Sequence, residues 1–130
     1  NTLRQKYEMK TVSLKPGEVT ISSVEEQFIS KAKATIESHI KESSFNVEQF
    51  ALTMNVTPVV LRRKIKALTN QTVTEYVRNY RLQRAADLLR KHGGTVTDIA
   101  FQVGFENVSY FGKVFQDVYG KSPSEFSKEE

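Results

Sequence analysis

The feature that most constrains the fold of this chain is an internal repeat. The segment VEQFALTMNVTPVVLRRKIKALTNQTVTEYV begins at residue 47, and TDIAFQVGFENVSYFGKVFQDVYGKSPSEF, residues 97–126, repeats its pattern. At a spacing of 49 and then 50 residues, the apolar pairs are Val47 with Val96, Phe50 with Ile99, Ala51 with Ala100, Met54 with Val103, Leu61 with Phe111, Ile65 with Phe115 and Leu68 with Val118. The capping and closing pairs are Asn70 with Gly120, Thr72 with Ser122, Glu75 with Glu125 and Tyr76 with Phe126. Because capping and apolar residues repeat together, the sequence predicts two copies of one structural unit.

Each copy has the pattern of a short helix, a tight turn and a second short helix. In the first copy, Thr57 and Pro58 form a typical helix start, since threonine caps a helix N-terminus and proline fits the first helical position. The small residues Ala51 and Ala100 would let the two helices of each copy cross closely. This is the outline of a helix-turn-helix, which places its second helix in the DNA major groove. A plain helical hairpin used only for packing has the same outline and stays open as an alternative.

The rest of the pattern is also helical, so the sequence predicts an all-α fold of about seven helices without a convincing strand. Apolar residues recur every four positions from Phe28 to Ile40 and mark one face of a first helix. Ser23 and Glu26 fit a capping box at the start of that helix.

These patterns divide the chain into an arm and one domain. Residues 1–22 have no clear period and are broken by Pro16 and Gly17, which indicates a linker or an extended arm. The predicted domain covers residues 23–130, with a first helix-turn-helix at about 46–69, a linker helix at about 73–92 ended by Gly93 and Gly94, and a second helix-turn-helix at about 95–120.

Positive charge is concentrated in the middle of the chain. The net charge is +4, but residues 57–91 hold nine cationic residues against Glu75 and Asp87, a net of +7 that leaves −3 for the rest. The nine are Arg62, Arg63, Lys64, Lys66, Arg78, Arg81, Arg84, Arg90 and Lys91. Such a bias favours an anionic partner, although a solvated helix face can carry a similar run.

The sequence gives little support to a catalytic function. It has no cysteine, which excludes disulfides, cysteine-ligated zinc and cysteine nucleophiles. His39 and His92 fall on separate predicted helices without an obvious partner, and neither a phosphate-binding loop nor a metal-ligand cluster is recognisable. No apolar run approaches the roughly 18 residues that would cross a membrane. We therefore expect no enzymatic activity, no cofactor, no metal, no membrane insertion by this segment, and a cytoplasmic location.

Two longer stretches resemble a known family. The block DIAFQVGFENVSYFGKVFQDVYGKSPSEF resembles the signature of AraC-type transcription regulators, and LRRKIKALTNQTVTEYVRNYRLQRAADLL is similar to the first motif and linker helix of that family. The resemblance covers about residues 45–126. It implies a homeodomain-like, seven-helix domain in which two helix-turn-helix units are joined by a rigid helix, and in which each unit offers a recognition helix to one face of double-stranded DNA.

The flanking residues resemble a more particular group. Residues 19–42 together with KALTNQTVTEYVR are similar to the output end of hybrid two-component regulators, in which a receiver domain precedes the AraC-type domain. This resemblance implies that residues 1–22 come from a missing upstream domain, that dimerisation occurs through that domain and that RNA polymerase is a further candidate partner. Two alternatives stay open: a stand-alone ligand-sensing regulator of the same family, and a basic protein-interaction module without its own DNA site.

Helix geometry separates the expected DNA-contacting residues of the first unit from its core. Leu61, Ile65 and Leu68 define a buried face, so the opposite face carries the candidates for base contact, which are Val59, Arg62, Arg63 and Lys66. Arginine can bind guanine O6 and N7 with two hydrogen bonds, and valine can contact a thymine methyl group. The resemblance supports Val59, Arg62 and Arg63 in this role, while a phosphate contact is the alternative for either arginine.

The second unit has fewer long polar side chains on the corresponding face. With Phe111, Phe115 and Val118 in the core, the base-contact candidates are Val108, Ser109, Gly112, Lys113 and Gln116. This helix should therefore read less sequence than the first and should mainly grip the DNA backbone. The candidates for phosphate contact in the whole chain are Thr57, Lys64, Arg78 and Asn107, of which Thr57 and Asn107 are also expected helix caps. A further set, Phe105, Tyr110, Tyr119 and Phe126, is expected in the core rather than as a stacking platform for single-stranded nucleic acid.

Overall fold

The computed structural model describes residues 19–129 of the chain. Within this range seven helices and no strand are present: α1 Val19–Ser38, α2 Val47–Met54, α3 Pro58–Thr69, α4 Val73–Arg90, α5 Val96–Gln102, α6 Val108–Tyr119 and α7 Pro123–Lys128. The predicted all-α class with about seven helices is confirmed.

The described residues form two compact units. Unit 1 contains residues 19–38 and 46–77, and unit 2 contains residues 39–45 and 78–129. Each unit holds one helix-turn-helix pair, α2 with α3 in unit 1 and α5 with α6 in unit 2. The division falls inside helix α4, so that helix contributes residues to both units.

Unit 1 has a mainly aliphatic core. The fully buried side chains of Ile36, Phe50, Leu61 and Ile65 come from α1, α2 and α3, and they include the predicted core positions Leu61 and Ile65. Thr35 of α1 is buried with them, and its hydroxyl lies 3.6 Å from the sulfur of Met54. Helix α1 therefore completes the core that α2 and α3 begin.

Unit 2 has a more aromatic core. Phe111 and Phe115 of α6 are fully buried, with ring centroids 5.7 Å apart, and Phe126 of α7 meets Phe115 edge-on at 5.3 Å. The aliphatic part of this core consists of Leu82, Ala85, Ala86, Leu89, Ile99, Ala100 and Val103. Aromatic pairs in tilted or edge-on geometry add stabilisation beyond the area that they bury.

Reciprocal capping hydrogen bonds mark several helix starts, including the predicted pairs at Thr72 and Ser122. Asn46, Thr95 and Ser122 each accept the backbone N–H three residues on, and the residue at that third position reaches back to the cap in each case. Thr72 and Glu75 make the same reciprocal pair at α4, with distances of 2.9 and 3.1 Å. In α7, the hydrogen bonds from Ser122 lower the pKa of Glu125, because they favour its charged form.

One predicted helix start is wrong. Helix α1 begins at Val19, so Ser23 lies inside it and cannot cap its start. The arm expected at residues 1–22 therefore includes helical residues at 19–22, and its remaining part, residues 1–18, lies outside the described residues. The linker helix expected at about 73–92 corresponds to α4, which ends at Arg90 and is followed by His92 in the left-handed conformation, with φ 54°.

One predicted core residue is also misplaced. Val118 is 50% exposed, and its partner in the repeat, Leu68, is only half-buried. The buried face of α6 instead includes Val114 and continues to the half-buried Tyr119, whose ring lies 4.6 Å from that of Phe115. Four-residue steps from Phe111 lead to Phe115 and Tyr119, whereas a three-residue step to Val118 turns the side chain toward solvent.

Candidate nucleic-acid interface

Helix α3 presents opposite faces to the core of unit 1 and to solvent. Leu61 and Ile65 are fully buried, whereas all four predicted base-contact residues are exposed: Val59, Arg62, Arg63 and Lys66. Val59 is 66% exposed. An aliphatic side chain held in water beside three cations suits contact with thymine methyl groups next to a phosphate backbone.

A groove of about 560 Å³ lies beside this exposed face. Its lining combines three cationic side chains with three valines and two threonines: Val47, Val59, Arg62, Arg63, Lys66, Thr72, Val73 and Thr74. All of these residues belong to unit 1. The start of α2 and the start of α4 thus flank the face of α3 that carries the charge.

The cations of this face are available to a ligand. Within residues 19–129, the ion pairs involve other side chains, and Arg62, Arg63 and Lys66 take part in none of them. Unneutralised arginine and lysine side chains on a helix face attract polyanions, and arginine adds a planar pair of donors that matches a base edge.

Helix α6 presents a weaker version of the same face in unit 2. Ser109, Lys113 and Gln116 are exposed, as the sequence pattern predicts. Val108 is half-buried and packs against the core of unit 2, so that side chain is turned partly away from solvent. Gly112 has open space around it, because a Cβ atom placed there would meet no heavy atom within 4 Å.

The candidates for phosphate contact occupy different settings. Thr57 and Asn107 are helix caps, with side-chain oxygens that accept the N–H of Val60 at 3.2 Å and of Tyr110 at 2.9 Å. Lys64 lies on another side of α3 from Arg62 and Arg63, and its ammonium group sits 5.1 Å from the ring centroid of Phe28 in α1. That cation–π contact gives Lys64 a packing role within unit 1.

Arg78 is the fourth candidate for phosphate contact. It is half-buried in α4, and its Nε atom is buried without a hydrogen-bond partner among the described residues. Arg78 is thus less exposed than Arg62 and Arg63 of α3, which carry the stronger geometric case for DNA contact.

The aromatic residues and the histidines fit packing roles. Phe105 is buried, and Tyr119 and Phe126 pack against the core of unit 2. Tyr110 differs from the expectation, since it is 49% exposed. His39 stacks on Phe45 at a centroid distance of 4.6 Å, and no group of three or more metal-ligating side chains occurs in the range 19–129.

Sequence reasoning missed one residue of unit 2, Arg81. Its guanidinium group is buried and donates to the backbone carbonyl groups of Ile40, Val103 and Glu42 at 2.5, 2.6 and 2.9 Å. Burial lowers the pKa of Arg81, and the charge of Glu42 acts in the opposite direction. The missed signal is its position: Arg81 precedes Ala85 and Leu89 in four-residue steps and so lies on the buried stripe of α4.

Comparison with known proteins identifies one family. The model of a helix-turn-helix domain family matches residues 50–129. Over 127 residues, the chain is 36% identical to histidine kinase P4 of Formosa agariphila, a match that covers 97% of this chain and 9% of that protein. Over 88 residues it is 32% identical to the HTH-type transcriptional regulator MtrA of Neisseria gonorrhoeae, with 68% of this chain and 29% of the regulator covered. The chain thus spans less than a third of either curated relative.

A solved structure supports the same assignment. The C-terminal domain of AraT, a response regulator from Geobacillus stearothermophilus, matches with a TM-score of 0.70 and 28% sequence identity, and the match covers 79% of this chain and 85% of that one. Two helix-turn-helix pairs in one short chain, the cationic face of α3 and the matched family model lead to one conclusion. The chain belongs to the AraC-type helix-turn-helix family of DNA-binding transcription regulators.

Proposed function

We propose that this segment is the DNA-reading output of a two-component regulator, and that one copy contacts two successive major grooves on one face of the duplex. The observation that carries the proposal is the pair of helix-turn-helix units, each with a second helix whose outer face is exposed. A recognition helix in each of two adjacent grooves requires half-elements about one helical turn apart, roughly 10 base pairs centre to centre.

In this proposal the two recognition helices have different tasks. Arg62 and Arg63 of α3 read bases through paired hydrogen bonds, Val59 contacts a thymine methyl group and Lys66 supports them. In α6, Lys113, Gln116 and Ser109 read less sequence than the residues of α3 and mainly hold the DNA backbone, and Gly112 allows close approach. The N-terminal caps Thr57 and Asn107 place helix N-termini toward phosphates, and Lys64 and Arg78 are secondary candidates for phosphate contact.

The two-component context rests on the named relatives. One is a histidine kinase aligned with 97% of this chain, and another is the C-terminal domain of a response regulator. We infer that a phosphorelay acts upstream of this segment, that an upstream domain brings two copies together and that RNA polymerase is a further partner. The segment itself acts in the cytoplasm without catalysis. Two linked copies would bind a double site more tightly than one copy through their effective concentration.

A stand-alone regulator that senses a small ligand is the second candidate, since another relative, MtrA, is named an HTH-type transcriptional regulator. The two candidates differ in what changes DNA affinity of the full-length protein. A phosphoryl donor should tighten binding to a double site if the first is correct. An unchanged affinity after confirmed phosphorylation, or a protein that cannot be phosphorylated, would favour the second.

The direct test of DNA reading is selection of bound duplexes from a random library at two salt concentrations, followed by footprinting. We expect an enriched bipartite motif and a footprint of roughly 17–20 base pairs for one copy. Affinity should fall log-linearly with salt, because bound lysine and arginine side chains displace counterions. A footprint of half that length would remove the two-groove arrangement. Binding without any enriched motif would leave only a basic surface.

A further inference from the structure

We propose that Arg81 positions the second recognition helix, α6, and thereby sets the base preference of the second half of the DNA site. The inference rests on the bipartite site proposed above. It concerns a residue that touches no DNA in this account and acts only through the backbone of unit 2.

Arg81 joins three backbone carbonyl groups of unit 2. Its Nη1 atom donates to Ile40 at 2.5 Å and to Val103 at 2.6 Å, and its Nη2 atom donates to Glu42 at 2.9 Å. Val103 is the C-cap residue of α5, where carbonyl groups lack partners within the helix. One guanidinium group therefore ties segment 39–45 to the turn that leads into α6, and all of these residues belong to unit 2.

Gly104 leaves space for the guanidinium group of Arg81. Gly104 has φ 92°, and a Cβ atom built there would overlap the guanidinium group of Arg81 and the carbonyl oxygen of Ile40. A glycine is needed at this point both for its left-handed backbone and for the close approach of Arg81. The turn and the buried cation are thus matched to each other.

The turn between α5 and α6 sets the direction of α6. Residues 103–107 connect α5 to α6. Besides their backbone hydrogen bonds, Arg81 binds the carbonyl group of Val103, and the ring of Phe105 packs against that of Phe111 at 5.1 Å. If the contact between Arg81 and Val103 is removed, the turn is still attached through the aromatic contact and its backbone hydrogen bonds. The orientation of α6, and with it the placement of Ser109, Lys113 and Gln116, then becomes less sharply defined.

A purely structural role for Arg81 makes a different prediction. Loss of general stability would lower the folded fraction and so weaken binding to every duplex by the same factor. Loss of positioning would instead reduce discrimination at the half-element that α6 reads and leave discrimination by α3 intact, because α3 lies in unit 1.

The experiment compares Arg81→Met with Arg81→Lys and with a matched control, Arg84→Met. Methionine keeps a long chain without donors, and lysine keeps the charge on a single nitrogen. Arg84 lies on the same helix and is partly exposed, with a distance of 4.0 Å to Asp87, so its loss removes an equal charge from α4. Affinities are measured by titration against the selected duplex, against one with the first half-element scrambled and against one with the second scrambled. Circular dichroism establishes that each variant is folded at the temperature used.

We expect Arg81→Met to reduce discrimination at the second half-element by about tenfold, the equivalent of one lost specific base contact, and to leave the first unchanged. Arg81→Lys should give a smaller reduction, and Arg84→Met should preserve both ratios. An unchanged second ratio in folded Arg81→Met, or an equal loss in both ratios, would overturn the inference. If Arg81→Met does not fold, the same criteria apply to Arg81→Lys.

Amide hydrogen exchange of the free protein supplies a readout without DNA. In Arg81→Met, exchange should accelerate at residues 103–107 and in the first turn of α6, and it should stay unchanged in α2 and α3. If the wild-type chain selects no second half-element, the two-groove proposal fails on its own. The exchange pattern then decides alone whether Arg81 positions α6, and unaltered exchange at residues 103–107 would end that inference too.

Discussion

The two recognition helices occupy corresponding places in the repeat but differ in charge. Helix α3 carries Arg62, Arg63, Lys64 and Lys66 and no acidic residue, whereas α6 carries Lys113 and Asp117. At a spacing of 50 residues, Arg62 corresponds to Gly112, Arg63 to Lys113 and Lys66 to Gln116. The repeat therefore preserves the backbone unit while changing the groups that it offers to DNA. We therefore expect base reading to be stronger in unit 1 than in unit 2.

The turns of the two units differ in which residue type occupies the left-handed positions. In unit 1 the left-handed positions are held by Asn55, with φ 61°, and Asn70, with φ 58°. In unit 2 the corresponding positions are Gly104 and Gly120, with φ 92° and 77°. Asparagine tolerates this conformation because its side chain can hydrogen-bond locally, so glycine is not required by the backbone alone. What distinguishes Gly104 is the buried guanidinium group of Arg81 beside it.

The largest expected difference between the units concerns these turns. Gly104→Ala should lower the free energy of unfolding by about 3 kcal/mol, because it adds strain at positive φ to an overlap with Arg81 and with a backbone carbonyl. Asn55→Ala, at the corresponding position of unit 1, should cost only about 1 kcal/mol, since it adds backbone strain alone. Chemical denaturation of both variants measures the difference.

A double variant makes this comparison sharper. If the overlap with the guanidinium group causes the excess cost, Gly104→Ala should be less damaging in an Arg81→Ala background than in the wild type, a coupling expected of groups in contact. Equal costs at Gly104 and Asn55 would show that the turn relaxes around the added methyl group and that the fit between Gly104 and Arg81 is loose.

Much of the fold follows from local pattern. The repeated spacing of apolar residues locates the buried Leu61, Ile65, Phe111 and Phe115, because an α-helix returns to the same face every three or four residues. The capping pairs locate the helix starts, since the side chain and backbone groups involved are only three residues apart. The same helical period predicts the four exposed base-contact candidates of α3, because they lie on the face opposite the core.

The wrong predictions concern positions where tertiary contacts determine which side chain is buried or where a helix begins. Val118 satisfies the three-residue step as well as Tyr119 satisfies the four-residue step, and packing against Phe115 and Phe126 selects the tyrosine. Ser23 has the right partner for a cap, but the helix already includes the four preceding residues. Arg81 is hidden from composition, because a charged side chain is rarely buried unless specific acceptors are supplied, and its acceptors lie 22 to 41 residues away.

The second comparison sets Arg63 against Lys113, which correspond in the repeat. Arg63→Ala should relax the preference at one base position of the first half-element by about 1–3 kcal/mol. Lys113→Ala should weaken binding almost uniformly across sequences and reduce the slope of log affinity against log salt by about one. Titration of single-base duplex variants at several salt concentrations distinguishes the two. A uniform loss in Arg63→Ala would make Arg63 a phosphate contact, and a base-specific loss in Lys113→Ala would make Lys113 a base contact.

The smallest expected effect concerns Gly112, which stands where unit 1 has Arg62. A Cβ atom at Gly112 meets no heavy atom within 4 Å, and the residue lies inside α6, so Gly112→Ala should raise the free energy of unfolding by about 0.5–1 kcal/mol through helix propensity. Gly120→Ala is the matched control, since Gly120 has equally open surroundings but a φ of 77°, and it should be destabilising by about 1 kcal/mol. Urea unfolding without DNA measures whether each variant raises or lowers the free energy of unfolding.

The DNA affinity of Gly112→Ala then shows what the glycine does. If Gly112→Ala gains stability and loses DNA affinity, the glycine serves close approach of α6 to the duplex. If affinity is unchanged, α6 lies far enough from the bases at this point to accept a side chain. A loss of stability in Gly112→Ala would contradict the open space assigned to it and would place α6 closer to its neighbours than to solvent.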